Sequence, residues 1–537
     1  MGSKNKIKEY TTCTGKIPSC IVGTPDPVQD DSTRWSTERE FVSGLESAEM
    51  SSSEPIDRAG FPMDVIDGRV YFDPGEAHTI AFGSTGSGKT NYIASPSIRI
   101  IARSGESLFV NDPKGDLSRD NYDYLVLHGY TVFVFHGRRP SISRRWNPLE
   151  IPYRFYHSEN VVDRDEAQNM IMNLAECISP VRGVDPFWET SAQKVIIGLC
   201  NVLFHCCKDP SKINMRSICI LKEMIAEKNP VLMRYLDGDT VTTAEKLNLS
   251  VVLNNADNTA RCIYSMVDHA LSKFASQDMI AWMTSASDFD LRELGRSKVA
   301  VFIVTPDEDD TYDMLVSLLV KQSYKLLVSE AQNSPGLKLQ NRVNYILDEF
   351  GNIPTIPGIS HIITASRSRN IRFLLLVQDK SQLEEKYGKL ASSIISNCSN
   401  IMYLNGRDTM LLTELSEMAG KDRNGIPIVS TSRLQRLSKE RKEAFVLRDR
   451  ERPFISRLAG SSQYAGGSES EPDFPMMERT EIPTFGIEDL DQCAGPQEEE
   501  DFEDFLARRM RRKSDHASIR QSIDDWYNNV DIWEDDD

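Results

Sequence analysis

The chain has 537 residues, 62 of them Lys or Arg and 80 Asp or Glu, for a formal net charge of −18. With 40% hydrophobic and 26% charged residues, it falls outside the collagenous, fully disordered and disulfide-scaffold classes, and its length allows about three domains. The acidic balance excludes a surface coated with nucleic-acid-binding charge but leaves room for a local basic channel.

Residues 1–60 are rich in Ser, Thr, Asp and Glu without a sustained period, and read as a loosely structured lead-in. Met1–Lys6 lacks the apolar core of a signal peptide, and Lys6 stands where a myristoylation signal on Gly2 wants Ser or Thr. Over 61–153 the pattern becomes strand-like. His78–Phe82 is a short apolar run, followed by a Gly-rich turn and a helical stretch over Tyr92–Ala102. Ser107–Val110 and Thr131–Phe135 are further β-rich runs.

Over 154–288 apolar residues recur at helical spacing, as in Ala167–Ile178 and Ala192–Phe204, which predicts an inserted all-α domain. Strand signals resume over 289–460 with Lys298–Val304, Asn344–Leu347, Phe373–Val377 and Asn400–Leu404. Strands alternating with helices imply a parallel sheet, here built from two stretches of chain. Residues 461–537 read as an acidic, largely disordered tail. Within it Phe502, Phe505, Leu506 and Met510 share one helical face, as in a solvated tail or a short docking helix. No run approaches 18 apolar residues, so no transmembrane helix is predicted. The ten cysteines include no CxxC pair, and Cys206–Cys207 lie in a packed-helix pattern, which predicts buried reduced thiols in a reducing cytosol.

Gly83-Ser84-Thr85-Gly86-Ser87-Gly88-Lys89-Thr90 fits GxxxxGK[ST] at every fixed position and lies between a strand and a helix. Glycines let consecutive N–H groups curl around phosphates, and the helix N-terminus adds partial positive charge. Lys89 would reach the β- and γ-phosphates, and the Thr90 hydroxyl would ligate Mg2+. The two strand-bearing stretches therefore form one nucleotide-binding domain, with ATP and Mg2+ as its expected ligands. Such a site needs a carboxylate from a neighbouring strand. Tyr345–Leu347 is an apolar strand ending in Asp348 and Glu349. Asp348 would hold the metal's hydration shell and Glu349 would polarise the attacking water, which favours hydrolysis over phosphoryl transfer. A helix-capping Asp348 is the plainer alternative.

Arg367 and Arg369 precede a buried strand, where a guanidinium can reach a phosphate in the same site or a neighbour's, or simply line the surface. Gln378 follows Phe373–Val377 at the strand end where ligands of open α/β sheets lie; it could bond the γ-phosphate or cap a loop.

In chain order, Gly83–Thr90, Asn111-Asp112-Pro113-Lys114-Gly115-Asp116, Trp146-Asn147-Pro148-Leu149, Asp185-Pro186-Phe187-Trp188, Asp348–Pro354, Gln378–Leu383, Asn397-Cys398 and Gly406-Arg407-Asp408 form a collinear set. Over about residues 70–460 the chain thereby resembles the coupling ATPases of type IV secretion and conjugation (TraG/TraD type), within the FtsK–HerA group of RecA-like motors. The resemblance implies a RecA-like P-loop NTPase domain with an inserted all-α domain that receives substrate. It also implies a homo-hexamer that couples DNA, with its relaxase or relaxosome, to a membrane-embedded secretion channel. By position, Arg367 matches the family's arginine finger acting across a subunit boundary, and Gln378 its glutamine after the following strand.

Relatives usually begin with a transmembrane anchor, and none is predicted here. The expectation is a cytoplasmic protein recruited to the membrane by a partner, through the first 60 residues or the acidic tail. A soluble DNA translocase of the FtsK–HerA type and a nucleotide-regulated receptor adaptor are the alternatives. No base-reading motif is present, so DNA contact is expected to be sequence-independent. Arg138, Arg139, Arg144, Arg145 and the Arg433–Lys442 stretch are the candidate lining, or a solvated face.

Overall fold

The computed structural model describes residues 33–181, 185–306, 312–449, 451–466 and 472–494. Its twelve strands are β1 (Glu46–Glu49), β2 (Pro62–Ile66), β3 (Arg69–Phe72), β4 (Thr79–Gly83), β5 (Ser107–Asn111), β6 (Thr131–His136), β7 (Val299–Val304), β8 (Val343–Leu347), β9 (Ile371–Val377), β10 (Asn400–Asn405), β11 (Glu443–Arg448) and β12 (Phe454–Arg457). The last nine form one sheet in the order β12-β11-β10-β4-β9-β8-β5-β7-β6. From β10 to β6 all pairings are parallel; β11 and β12 add an antiparallel edge.

The sequence of the central strands explains their placement. β4, β5, β7, β8 and β9 are buried at every position, as continuous apolar runs must be when helices cover both faces. Alternate residues sort by face. Ala81, Val110, Phe302 and Ile346 join one apolar cluster with the helices Ser95–Ser104 and Asp116–Leu127. Phe82, Phe109, Val301 and Tyr345 join the other with the helix Asp313–Gln332. On that second face the Tyr345 ring lies 4.7 Å from both Phe109 and Phe373.

Between β6 and β7 the described residues form helices and no strand, among them Val161–Ile178, Phe187–Cys206, Met215–Ala226, Thr243–Leu253 and Asp257–Ser276. Ala192, Val195, Ile196, Leu199 and Leu203 recur three and four apart and are buried, the stripe that a helix turns into a core. The chain enters and leaves this insertion side by side. The Arg145 N–H donates to the Asp288 carboxylate and the Asp288 N–H to the Arg145 carbonyl, the guanidinium pairs with the carboxylate at 2.8 Å, and it also faces the buried Trp282 ring at 5.5 Å. This α/β architecture with an all-α insertion is the predicted fold class.

Two segments depart from the prediction. The loosely structured lead-in expected through residue 60 is ordered from residue 33: β1 pairs with β3, and buried Phe41 stacks on Phe454 at 4.2 Å beneath the Arg448 guanidinium. One buried aromatic among polar neighbours gives no periodicity to read. Likewise the segment 472–494 of the expected disordered tail packs back on the fold. Phe474 lies against Tyr122, the Phe485 N–H donates to Ser217, and Leu490 is buried where the helix Ile487–Ala494 meets the helical insertion. Phe502, Phe505, Leu506 and Met510 lie outside the described residues, as do the terminal residues of the lead-in. No helix among the described residues is long and apolar enough to cross a membrane. Their eight cysteines are free thiols.

Candidate nucleotide site

Strand β4 delivers Gly83 to the sheet's C-terminal edge, and the loop 84–88 turns the chain into a helix that opens with a π-helical turn at Thr90. Gly86 and Gly88 sit at φ 74° and 95°, where side chains are strained, and a Cβ at Gly88 would fall 2.4 Å from the Tyr92 ring. The loop is pinned from β10: the Ser84 N–H donates to the Asn405 carbonyl at 2.8 Å. Ser87 buries its hydroxyl without a hydrogen-bond partner among the described residues. The Lys89 ammonium is buried and donates to the Gly83 carbonyl at the base of the loop. Burial lowers its pKa, against the opposing pull of Asp348 and Glu349.

Asp348 leaves β8 at the same edge, two strands from β4, with β9 between. Its carboxylate accepts the Thr90 hydroxyl at 2.8 Å and the Glu349 N–H at 3.0 Å. The capping alternative is therefore replaced by a bond to the phosphate loop, and no helix begins there. Burial pushes the Asp348 carboxyl above its usual range, so a nearby cation would favour its charged form. A hydroxyl and a carboxylate brought together from positions 258 residues apart form the hard oxygen pair that Mg2+ takes alongside phosphate oxygens. The buried unpaired Ser87 hydroxyl and the buried ammonium fit a bound polyphosphate.

Glu349 follows in the left-handed region at φ 51°. Its carboxylate takes Lys114 on one oxygen at 3.2 Å and the Asn352 amide on the other at 3.0 Å. The register of β4 and β9 pairs Phe82 with Val377, so Gln378 stands level with Gly83. The structure thus collects Gly83, Ser84, Thr85, Gly86, Ser87, Gly88, Lys89, Thr90, Asp348, Glu349 and Gln378 at one end of the sheet.

Arg367 is not among them. It precedes β9, at the opposite end from the phosphate loop. Seven residues of strand at about 3.3 Å each place it roughly 23 Å away. The same-site option is closed for this exposed side chain. Arg369, by contrast, is tied to the Ala365 carbonyl at 2.6 Å.

Three participants went unassigned in the sequence. Asn111 ends β5 and donates to the Asp348 carbonyl at 2.9 Å. Asp112 is buried and accepts the Leu117 and Ser118 N–H groups at 3.2 and 2.7 Å, with desolvation pushing its carboxyl up to about 6. Lys114 pairs with Glu349 as described. All three lie at the end of a parallel strand beside β8, the position where open α/β sheets gather ligands, and that position was the available signal. Two residues of the candidate basic lining carry acidic partners. Arg145 is engaged with Asp288, and Arg433 pairs with Glu443 at 3.0 Å.

Fold and site together define a RecA-like P-loop domain carrying an all-α insertion. The chain belongs to the family described as type IV secretory system conjugative DNA transfer, whose model matches residues 40–452. It is 29% identical over 146 residues to Protein VirD4 of Rhizobium radiobacter, a match spanning 27% of this chain and 21% of the relative. Protein VirD4 of Agrobacterium fabrum matches at 27% identity over 139 residues, 26% of this chain and 20% of that relative. Among solved structures, the bacterial conjugative coupling protein TrwB in complex with sulphate superposes with a TM-score of 0.55 at 14% identity, covering 83% of this chain and 97% of that one. TrwB with the ATP analogue ADPNP gives 0.54 at 14% identity over 85% and 99%, and TrwB with ADP and Mg2+ gives 0.53 at 14% over 83% and 97%.

Proposed function

We propose that the protein is an ATP-hydrolysing coupling protein that recruits DNA or nucleoprotein and drives its transfer through a type IV secretion or conjugation channel. The bond between Thr90 and Asp348, with Glu349 beside it, carries this reading. Gly83–Thr90 hold the phosphates of ATP, Lys89 faces the β- and γ-phosphates, and Thr90 and Asp348 hold Mg2+. That ion supplies charge neutralisation at the phosphates. Glu349 accepts the proton of the attacking water. The water oxygen bonds the terminal phosphorus, and the bond to the diphosphate breaks with its electron pair on the leaving oxygen. Gln378 bonds the γ-phosphate. Arg367 of another copy completes the charge stabilisation, which is what makes a homo-hexameric ring the working assembly.

In the same reading residues 61–153 and 289–460 are the nucleotide-binding domain and 154–288 the substrate-receiving domain. DNA with its relaxase is the cargo, held through its backbone without base readout. The protein acts at the cytoplasmic side, docked to a membrane-embedded channel or anchor protein. ATPase rate of the full chain with and without single- and double-stranded DNA tests this. The expected result is hydrolysis stimulated by DNA and less so as salt rises. Absent hydrolysis would overturn the ATPase reading, and hydrolysis indifferent to DNA would overturn the DNA-coupling one.

A further inference from the structure

Glu349 is engaged on both oxygens, Oε1 by the Lys114 ammonium and Oε2 by the Asn352 amide. Each contact takes one acceptor position on its oxygen and together they fix the orientation of the carboxylate. Its backbone sits in a left-handed conformation that a glutamate adopts only when its surroundings impose it. The clamp on Oε1 has a rigid base. Pro113 fixes its own φ, the Gly115 N–H returns to the Asp112 carbonyl at 3.1 Å, and the Asp112 carboxylate anchors the following helix. From that base the Lys114 side chain extends half-exposed to Glu349. Its charge also acts on Lys89 and therefore lies within the field of the phosphate site.

An ion pair open to water is a weak contact, and a terminal phosphate offers an ammonium more negative charge than one carboxylate does. We propose that Lys114 is a positioning residue that reports the terminal phosphate to Glu349: its ammonium holds Glu349 Oε1 until a nucleoside triphosphate binds, then moves to that phosphate and releases the carboxylate to work as the base. This rests on the ATPase reading above. A diphosphate cannot trigger the release, because it lacks the group that competes for the ammonium. The pair therefore gates the base by the nucleotide's state.

The test measures affinity for ADP and for a non-hydrolysable ATP analogue, with turnover of ATP, in the full chain and in Lys114→Ala and Lys114→Arg. Lys114→Ala should leave ADP affinity unchanged and weaken the analogue about tenfold, the loss of one charge-assisted contact. Lys114→Arg should restore the analogue's affinity. Equal loss of both nucleotides would mark a structural role and overturn the inference, as would an unchanged ratio of the two affinities. If the unmodified chain bound neither nucleotide, the ATPase reading would fall and take this one with it.

Discussion

The two ends of the central sheet differ in what they gather. At the C-terminal edge, side chains from β4, β5 and β8 converge within hydrogen-bond distance, and Thr90, Asp348, Asn111, Glu349 and Lys114 form one connected network. At the N-terminal edge His78 holds β4, β9 and the helix Ile359–Ser366 together, while Arg367 stands exposed beside them. One end is furnished for binding phosphate and the other for holding the scaffold and presenting a cation outward. Under the proposed function, a single copy therefore has a phosphate site without its finger and a finger without a phosphate.

Removing the base should break the first end while sparing the second. Glu349→Gln is expected to lower ATP turnover at least about a hundredfold, the usual contribution of a general base. Nucleotide should still bind, because Lys89 and Thr90 are untouched; equilibrium binding alongside turnover checks both. Retained turnover would show that another group orients the water.

A smaller effect sharpens the role of the other end. His78 Nδ1 accepts the Phe373 N–H at 3.1 Å, so Nε2 carries the hydrogen and donates to the Ile363 carbonyl at 2.9 Å. Burial, aided by Arg367 and Arg372 nearby, pushes its pKa down to about 4. A histidine held neutral in the fold must give up stability as pH falls from its unfolded value near 6.5 toward 4, by up to about 3 kcal/mol. Denaturant unfolding of the native chain and His78→Gln should thus show a stability gap at pH 7 that narrows by pH 5. A constant gap would mean that His78 is not buried as the neutral form.

The phosphate loop was legible because its glycines, Lys89 and Thr90 are consecutive and the strand before them is apolar. Asp348 and Glu349 were legible because they end a buried strand. What lay beyond reading was any contact made across strands. Lys114 reaches Glu349 over a gap of 235 positions (114 to 349), and nothing local to either residue signals the pair. The parallel strands announced themselves as unbroken apolar runs. The ordered parts of the two end segments did not, because their buried residues, Phe41, Phe474 and Leu490 among them, are scattered among polar ones without a period. Arg367 shows the limit from the other side. Its motif position was readable, but only the strand direction reveals that it faces away from its own phosphate loop.

The most direct test of an ATPase completed between copies is complementation. Lys89→Ala removes the phosphate site but keeps Arg367, and Arg367→Ala does the reverse. Each variant alone should hydrolyse ATP poorly. Mixed in equal amounts under conditions of ring assembly, they should recover a substantial fraction of native turnover, since the first supplies the finger to the second's intact loop. No recovery on mixing, or full activity of Arg367→Ala by itself, would contradict the account.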